Sequence, residues 1–296
     1  MRKLLLNILP GGLIRFYKDA KKRRKQNQRQ QLAQANQTVT EDDIVKALQD
    51  AGVKHNEVLM LHSALSKLGF VKDGTETVIN AVIRVVGEQG TVMMPSFPAV
   101  GFNYDYLKTN PVFDVRNSPS KMGAITEAFR KRSGVERSLH PTDPVCALGK
   151  QALYLTKDHV NQLTPYNENS PFYRLCELKG KIVLMGVDLD SLTNLHTLED
   201  AVDNFEYPVY HPMVFTTKLV DADGTALEMK TKVHNPLYSK KRRCNALLPH
   251  FEEAGFLKQF KVGLANCIII EAYAMHQWML ENYRTKGITM YTPDGK

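Results

Sequence analysis

His196 stands in the stretch LDSLTNLHTLEDAV, with Asp190 six residues before it and Glu199 three after. On a helix, residues three apart share a face, so His196 and Glu199 can meet. An imidazole titrates near neutrality and can take a proton from a nucleophile, while a carboxylate on its other nitrogen fixes its tautomer. Glu199 or Asp190 fits that second task, or the anchoring of a substrate ammonium, and the sequence leaves the two open. By itself, a histidine beside two acids is more often a structural ion pair. His62, followed by Ser63, closes an apolar run, and His140 precedes Pro141, which favours an extended loop backbone. Both read as binding or supporting residues, and the remaining histidines read as surface or core. There is no G-x-S-x-G, and Ser63 has no base identifiable by sequence, so direct transfer in a ternary complex is expected over a covalent intermediate.

The elements that must position these residues follow from periodicity. Glu57 to Leu61 reads as a short buried strand that delivers His62 and Ser63 at its carboxyl end, with Ser66, Lys67 and Gly69 in the loop beyond. Glu76 to Val86 is an amphipathic helix, and Thr91 to Pro95 a second strand closed by proline. This opens a β-α-β unit, and such sheets bind ligands outside the carboxyl ends of their strands. Thr40, with Asp43 as an imperfect capping-box acid, starts a helix running to about Ala51. Lys181 to Val187 is another buried strand, a helix begins near Ser191, and residues 208 to 234 alternate as antiparallel strands do. The expectation is an α/β domain over 39–296: a three-layer mixed sheet with helices on both faces and an antiparallel appendage in the C-terminal third. No internal repeat is evident.

Composition narrows the function classes. The formal charge of +8 is concentrated at one end: the first 40 residues hold ten Lys/Arg and one acid, leaving 29 basic against 30 acidic residues. The globular part has no surplus of bases for a nucleic-acid groove, so no nucleic-acid partner is expected. Residues 1–38 form a basic amphipathic arm and linker. Pro10-Gly11-Gly12 interrupts its apolar stretch and a basic run follows, so it does not read as a signal peptide. It reads either as a peripheral membrane contact through residues 1–25 or as a partner-binding helix that could support an oligomer. Cytoplasmic placement, with peripheral attachment to the inner membrane face, is expected. Cys146, Cys176, Cys244 and Cys267 are widely spaced, in the manner of core thiols rather than a zinc site or disulfide frame.

Five segments taken together carry a resemblance: LHSALSKLGFVKDGTETV (61–78), TVMMPSF (91–97), PSKMGAITEAFRKRSGVERSLHPTDPVCALG (119–149), NSPFYRLCELKGKIVLMGVDLDSLTNLHTLEDAV (169–202) and VGLANC (262–267). In order and spacing they are similar to the aminoglycoside 3-N-acetyltransferase family across residues 41 to about 285. The resemblance implies acetyl-coenzyme A as co-substrate, without a metal, lying along His62, Ser63, Ser66, Lys67, Gly69 and Pro95-Ser96-Phe97. It places the active-site histidine and its acid on His196 and Glu199, with Asp190 on a further acid of the motif. His140, Asp188 and Asp203 are expected to bind substrate. The acids from Asp188 to Glu206 would suit a cationic acceptor, whereas the basic arm suits an enzyme of surface-glycan assembly. The reading is therefore N-acylation of an amino sugar, nucleotide- or lipid-linked ahead of an aminoglycoside, with an inactive membrane-attached scaffold as the reading from another class. Lys240-Lys241-Arg242-Arg243 could meet the phosphates of coenzyme A or of a nucleotide-linked sugar, but a solvated loop is the favoured reading.

Overall fold

The computed structural model describes residues 38–295. The basic arm lies outside the described residues except for Thr38, which belongs to strand β1 (Thr38–Val39) and pairs with Phe70.

The remaining strands are β2 (Val58–Ser63), β3 (Phe70–Val71), β4 (Thr91–Pro95), β5 (Val112–Asp114), β6 (Glu136–Arg137), β7 (Val145–Gly149), β8 (Lys181–Met185), β9 (Phe215–Val220), β10 (Ala226–Thr231), β11 (Leu257–Val262) and β12 (Ala265–Glu271). Seven of them form one sheet in the order β11-β12-β8-β2-β4-β7-β6. The three central strands β8, β2 and β4 are parallel, and antiparallel pairs flank them on both sides.

The central strands are apolar on both faces, and their period of two divides the core. Met60, Met93, Ile182 and Leu184 face one layer, where helices Pro171–Glu177 and Ala272–Lys286 supply Phe172, Leu175, Met275 and Met279. Leu59, Leu61, Val92, Met94, Val183 and Met185 face the other, against helices Glu41–Asp50, Thr75–Val86 and Ala124–Arg130. Thr40 and Asp43 form the capping box at the first of these helices. The sandwich has the three layers expected.

The appendage is a separate three-stranded sheet, β10-β9-β5. Its hairpin β9–β10 is antiparallel, but β5, from the first half of the chain, joins β9 in parallel. The alternation over 208–234 signals the hairpin; a three-residue strand a hundred residues away carries no comparable signal.

Candidate active site

The carboxyl ends of β8, β2 and β4 open into a cleft of about 570 Å3, within the usual range for small-molecule sites. His62 and Ser63 from β2, Pro95 and Phe97 from β4, and Val187 just beyond β8 line it. Gly186 allows β8 to leave the sheet here: its φ is +73°, and a Cβ would stand 2.8 Å from the Lys67 side chain.

After β8 the chain makes two 3-10 turns, Leu189–Ser191 and Thr193–His196, before the short helix Thr197–Ala201. Leu189, Leu192, Leu195 and Leu198 all enter the core at a spacing of three, the repeat of a 3-10 helix and not that of the α-helix expected from Ser191. His196 and Glu199 each follow one of these leucines, so the same repeat stacks them. His196 Nδ1 lies 3.1 Å from Glu199 Oε1. An ionised carboxylate only accepts, so Nδ1 carries the hydrogen and Nε2 keeps its lone pair.

Glu199 collects more donors than the sequence indicated. Its side chain is 0% exposed. His234 Nε2 donates to Oε2 at 2.6 Å, and the Tyr291 hydroxyl donates to Oε1. Arg242 reaches the Tyr291 oxygen through Nε at 3.4 Å, so a cation stands behind the phenol and offsets the buried carboxylate. Burial alone would raise the Glu199 pKa, but His196 and His234 hold it well below the ordinary carboxylate range. Burial, and then Arg242, lower His196 to about 3 against the opposing pull of Glu199. The imidazole is consequently neutral at rest, and its proton-accepting nitrogen is available.

A second layer of aromatic rings and acids surrounds this group. His234 stacks on Tyr166 at 5.4 Å and on Tyr210 at 5.0 Å, and its ring centre is 4.4 Å from that of His196. Tyr166 donates to Asp143 at 2.9 Å and Tyr210 donates to Asp200 at 2.7 Å. Asp143 lines the cleft and also accepts from Thr142 and Asn103. Burial raises its pKa, and burial pushes Asp200 up to about 6.

The other expected site residues divide between the cleft and its surroundings. Asp190 lines the cleft, but of the two acids it is Glu199 that is hydrogen-bonded to His196. Burial, then repulsion from Asp188, raises the Asp190 pKa. Asp188 is exposed and spends an oxygen on the Asp190 N–H, while Asp203 is exposed and does not line the cleft. Ser66 and Lys67 sit exposed on the turn Leu65–Lys67 and do not line the cleft. Gly69 packs its bare α-carbon against Leu264. Ser96 is fully buried behind Pro95 and Phe97. His140 is 0% exposed, lies 4.5 Å from His159 in a ring stack, and accepts the Asp143 N–H on Nδ1 at 3.1 Å. It therefore shapes the loop that presents Asp143 and does not itself face the cleft.

His234, Tyr166 and Tyr291 were not singled out from the sequence, and Arg242 was named only within its basic run. His234 ends the antiparallel segment and bridges Tyr210. Arg242 sits in a run of four bases, yet it is only partly exposed and lines the cleft, where a solvated loop was expected. The four cysteines are buried free thiols.

The sequence profile of the aminoglycoside 3-N-acetyltransferases matches residues 60–283. Aminoglycoside N(3)-acetyltransferase VII of Streptomyces paromomycinus is 33% identical over 189 residues, 58% of this chain; the chain spans 64% of that relative's length. The aminoglycoside N(3')-acetyltransferase-like protein YokD of Bacillus subtilis is 30% identical, covering 78% of this chain and 85% of YokD. Among solved structures, the aminoglycoside acetyltransferase AAC(3)-Xa superposes with a TM-score of 0.74 at 24% identity, covering 88% of this chain and 97% of its own. AAC-IIIb in binary complex with CoASH gives 0.69 at 23% identity, with 86% and 100% covered.

Proposed function

We propose, from the premise that this chain belongs to the aminoglycoside 3-N-acetyltransferase family, that it transfers an acetyl group from acetyl-coenzyme A to an amine of an amino sugar. The observation that carries the reading is His196: its Nδ1 is locked to a buried carboxylate and its ring lines the cleft at the ends of the central strands. The relatives are named for aminoglycosides, and an aminoglycoside is the acceptor they favour.

An amine reaches the enzyme mostly protonated and, once it has lost that proton to solvent, its nitrogen attacks the thioester carbonyl carbon. His196 Nε2 takes the second proton as the carbon–nitrogen bond forms, and Glu199 stabilises the resulting imidazolium. The tetrahedral intermediate then expels the coenzyme A sulfur, which recovers the proton from His196. His62 suits the wall on which the thioester rests: burial lowers it to about 4, so it is a neutral hydrogen-bonding group beside Ser63. Phe97, Val100, Phe102 and Met122 provide apolar surface for the pantetheine arm.

One observation favours a second acceptor class. A polycation is best held by several free carboxylates, yet Asp143 is pinned by three donors and the cleft also contains the Arg242 guanidinium. That arrangement suits an amino sugar with a single ammonium and an anionic group, as in a nucleotide- or lipid-linked sugar. Thiol release from acetyl-coenzyme A, measured against aminoglycosides and nucleotide-linked amino sugars, decides between the two. Silence on both panels would reject acyl transfer and favour the inactive scaffold.

A further inference from the structure

We infer that His234 is a positioning residue for the His196–Glu199 pair: it holds the Glu199 carboxylate in the orientation that keeps the proton of His196 on Nδ1. The inference rests on the acyl-transfer reading for its consequence, but its test does not require turnover.

A carboxylate can rotate about its last carbon–carbon bond and exchange its two oxygens. Two of the donors to Glu199, His196 and Tyr291, converge on Oε1, so together they leave the other oxygen without a protein donor. His234 Nε2, at 2.6 Å, is the one described donor to Oε2. Without it a buried, ionised oxygen would have no partner, which low-dielectric surroundings penalise strongly. The carboxylate would then turn to share its donors or take up a proton, and either change weakens the acceptor that selects the His196 tautomer.

His234 is itself firmly held. Its backbone forms a bridge with Tyr210, and its ring stacks on Tyr210 and Tyr166, whose hydroxyls are tied to Asp200 and Asp143. A donor with so little freedom can orient the group it meets. The other imidazole contact, 4.4 Å between the rings of His196 and His234, leaves little space for His196 to swing toward Oε2.

The test is nitrogen-15 NMR of the histidine side chains, with the His196 signals assigned by their loss in His196→Ala. In the wild type His196 should carry its hydrogen on Nδ1 and present a bare Nε2. His234→Ala should introduce an Nε2-protonated population, and His234→Gln, whose amide can donate to Oε2, should restore the wild-type pattern. Where turnover is measurable, kcat should fall about 10- to 100-fold in His234→Ala, with KM for acetyl-coenzyme A nearly unchanged and kcat recovering in His234→Gln. An unaltered His196 pattern in a folded His234→Ala protein overturns the inference. A wild-type NMR pattern with no thiol release on any acceptor counts against acyl transfer instead.

Discussion

His234 and Glu199 are 35 residues apart in the chain, yet their Nε2 and Oε2 atoms are 2.6 Å apart. One lies at an isolated bridge just past the small appendage sheet and the other in the short helix Thr197–Ala201 that follows the turns beyond β8. The carboxylate thereby joins two parts of the fold that share no strand, and the site depends on both.

Replacing His196 by alanine should leave coenzyme A binding intact, because the Nε2 atom is assigned to the proton and not to the cofactor. Turnover should fall at least ~100-fold, the usual contribution of a general base. Equilibrium binding of coenzyme A beside steady-state thiol release checks both halves, and near-normal turnover would remove His196 from the mechanism.

The pH dependence of kcat/KM should reflect the displaced His196. Burial, followed by Arg242, lowers its pKa to about 3, so the wild type should show no limb from this residue near the ordinary 6.5. Arg242→Gln removes a cation that disfavours the imidazolium, and the His196 pKa should rise toward neutrality. An acid limb that moves upward in Arg242→Gln is the expected result; profiles that coincide would mean the guanidinium does not act on the imidazole.

Stability should decline in mild acid. His62 and His276 are lowered to about 4 and His159 and His196 to about 3, all by burial, and His140 is lowered too. Each folded value lies below the unfolded 6.5, so the unfolded chain binds more protons in that interval, and the stability present above 6.5 is lost as pH falls toward 3. Glu199 adds to the loss below 4.5, whereas Asp200, raised to about 6, opposes it as pH rises from 3.8. Five histidines outweigh Asp143 and Asp200. The melting temperature should therefore be lower at pH 5 than at pH 7.5 by more than ~5 °C, given that ~1 kcal/mol shifts a chain of this size by a few degrees. A flat profile measured by calorimetry would show that these rings are hydrated.

Tyr166→Phe should cost stability without removing a catalytic group. The phenol is one of three donors to the buried Asp143, and its loss leaves an acceptor less well satisfied, at about 1–3 kcal/mol. Chemical denaturation reads this directly, and a change under ~0.5 kcal/mol would mean that Thr142 and Asn103 suffice.

Residues 1–38 carry a separate expectation. The intact chain should sediment with vesicles containing anionic lipid, and deleting this segment should abolish sedimentation while thiol release persists. Equal sedimentation of both forms would assign the basic arm to another partner.

The parts of this molecule that repeat locally were legible in the sequence. The strands at 91–95 and 181–185, the helix to Val86 and the His196–Glu199 pair all follow from short periods or from a spacing of three. The same LxxLxxLxxL spacing also carried the 3-10 geometry, which was overlooked because a helix was assumed to have 3.6 residues per turn. His234, Tyr166 and Tyr291 were not legible, nor was which base of the 240–243 run turns into the cleft, because each reaches the site through tertiary topology. An isolated bridge, a loop tyrosine and one base among four leave no periodic mark.

Tyr291 gives Glu199 its third donor from a segment only a few residues before the last described position. Tyr291 follows the β-α-β framework and the His196–Glu199 pair in the chain, so on synthesis those residues emerge before the phenol that closes over the carboxylate. Until then the nascent protein holds a partly satisfied acid in its central layer. A change that removes Tyr291 would act on the candidate site, however remote that residue looks in a linear map.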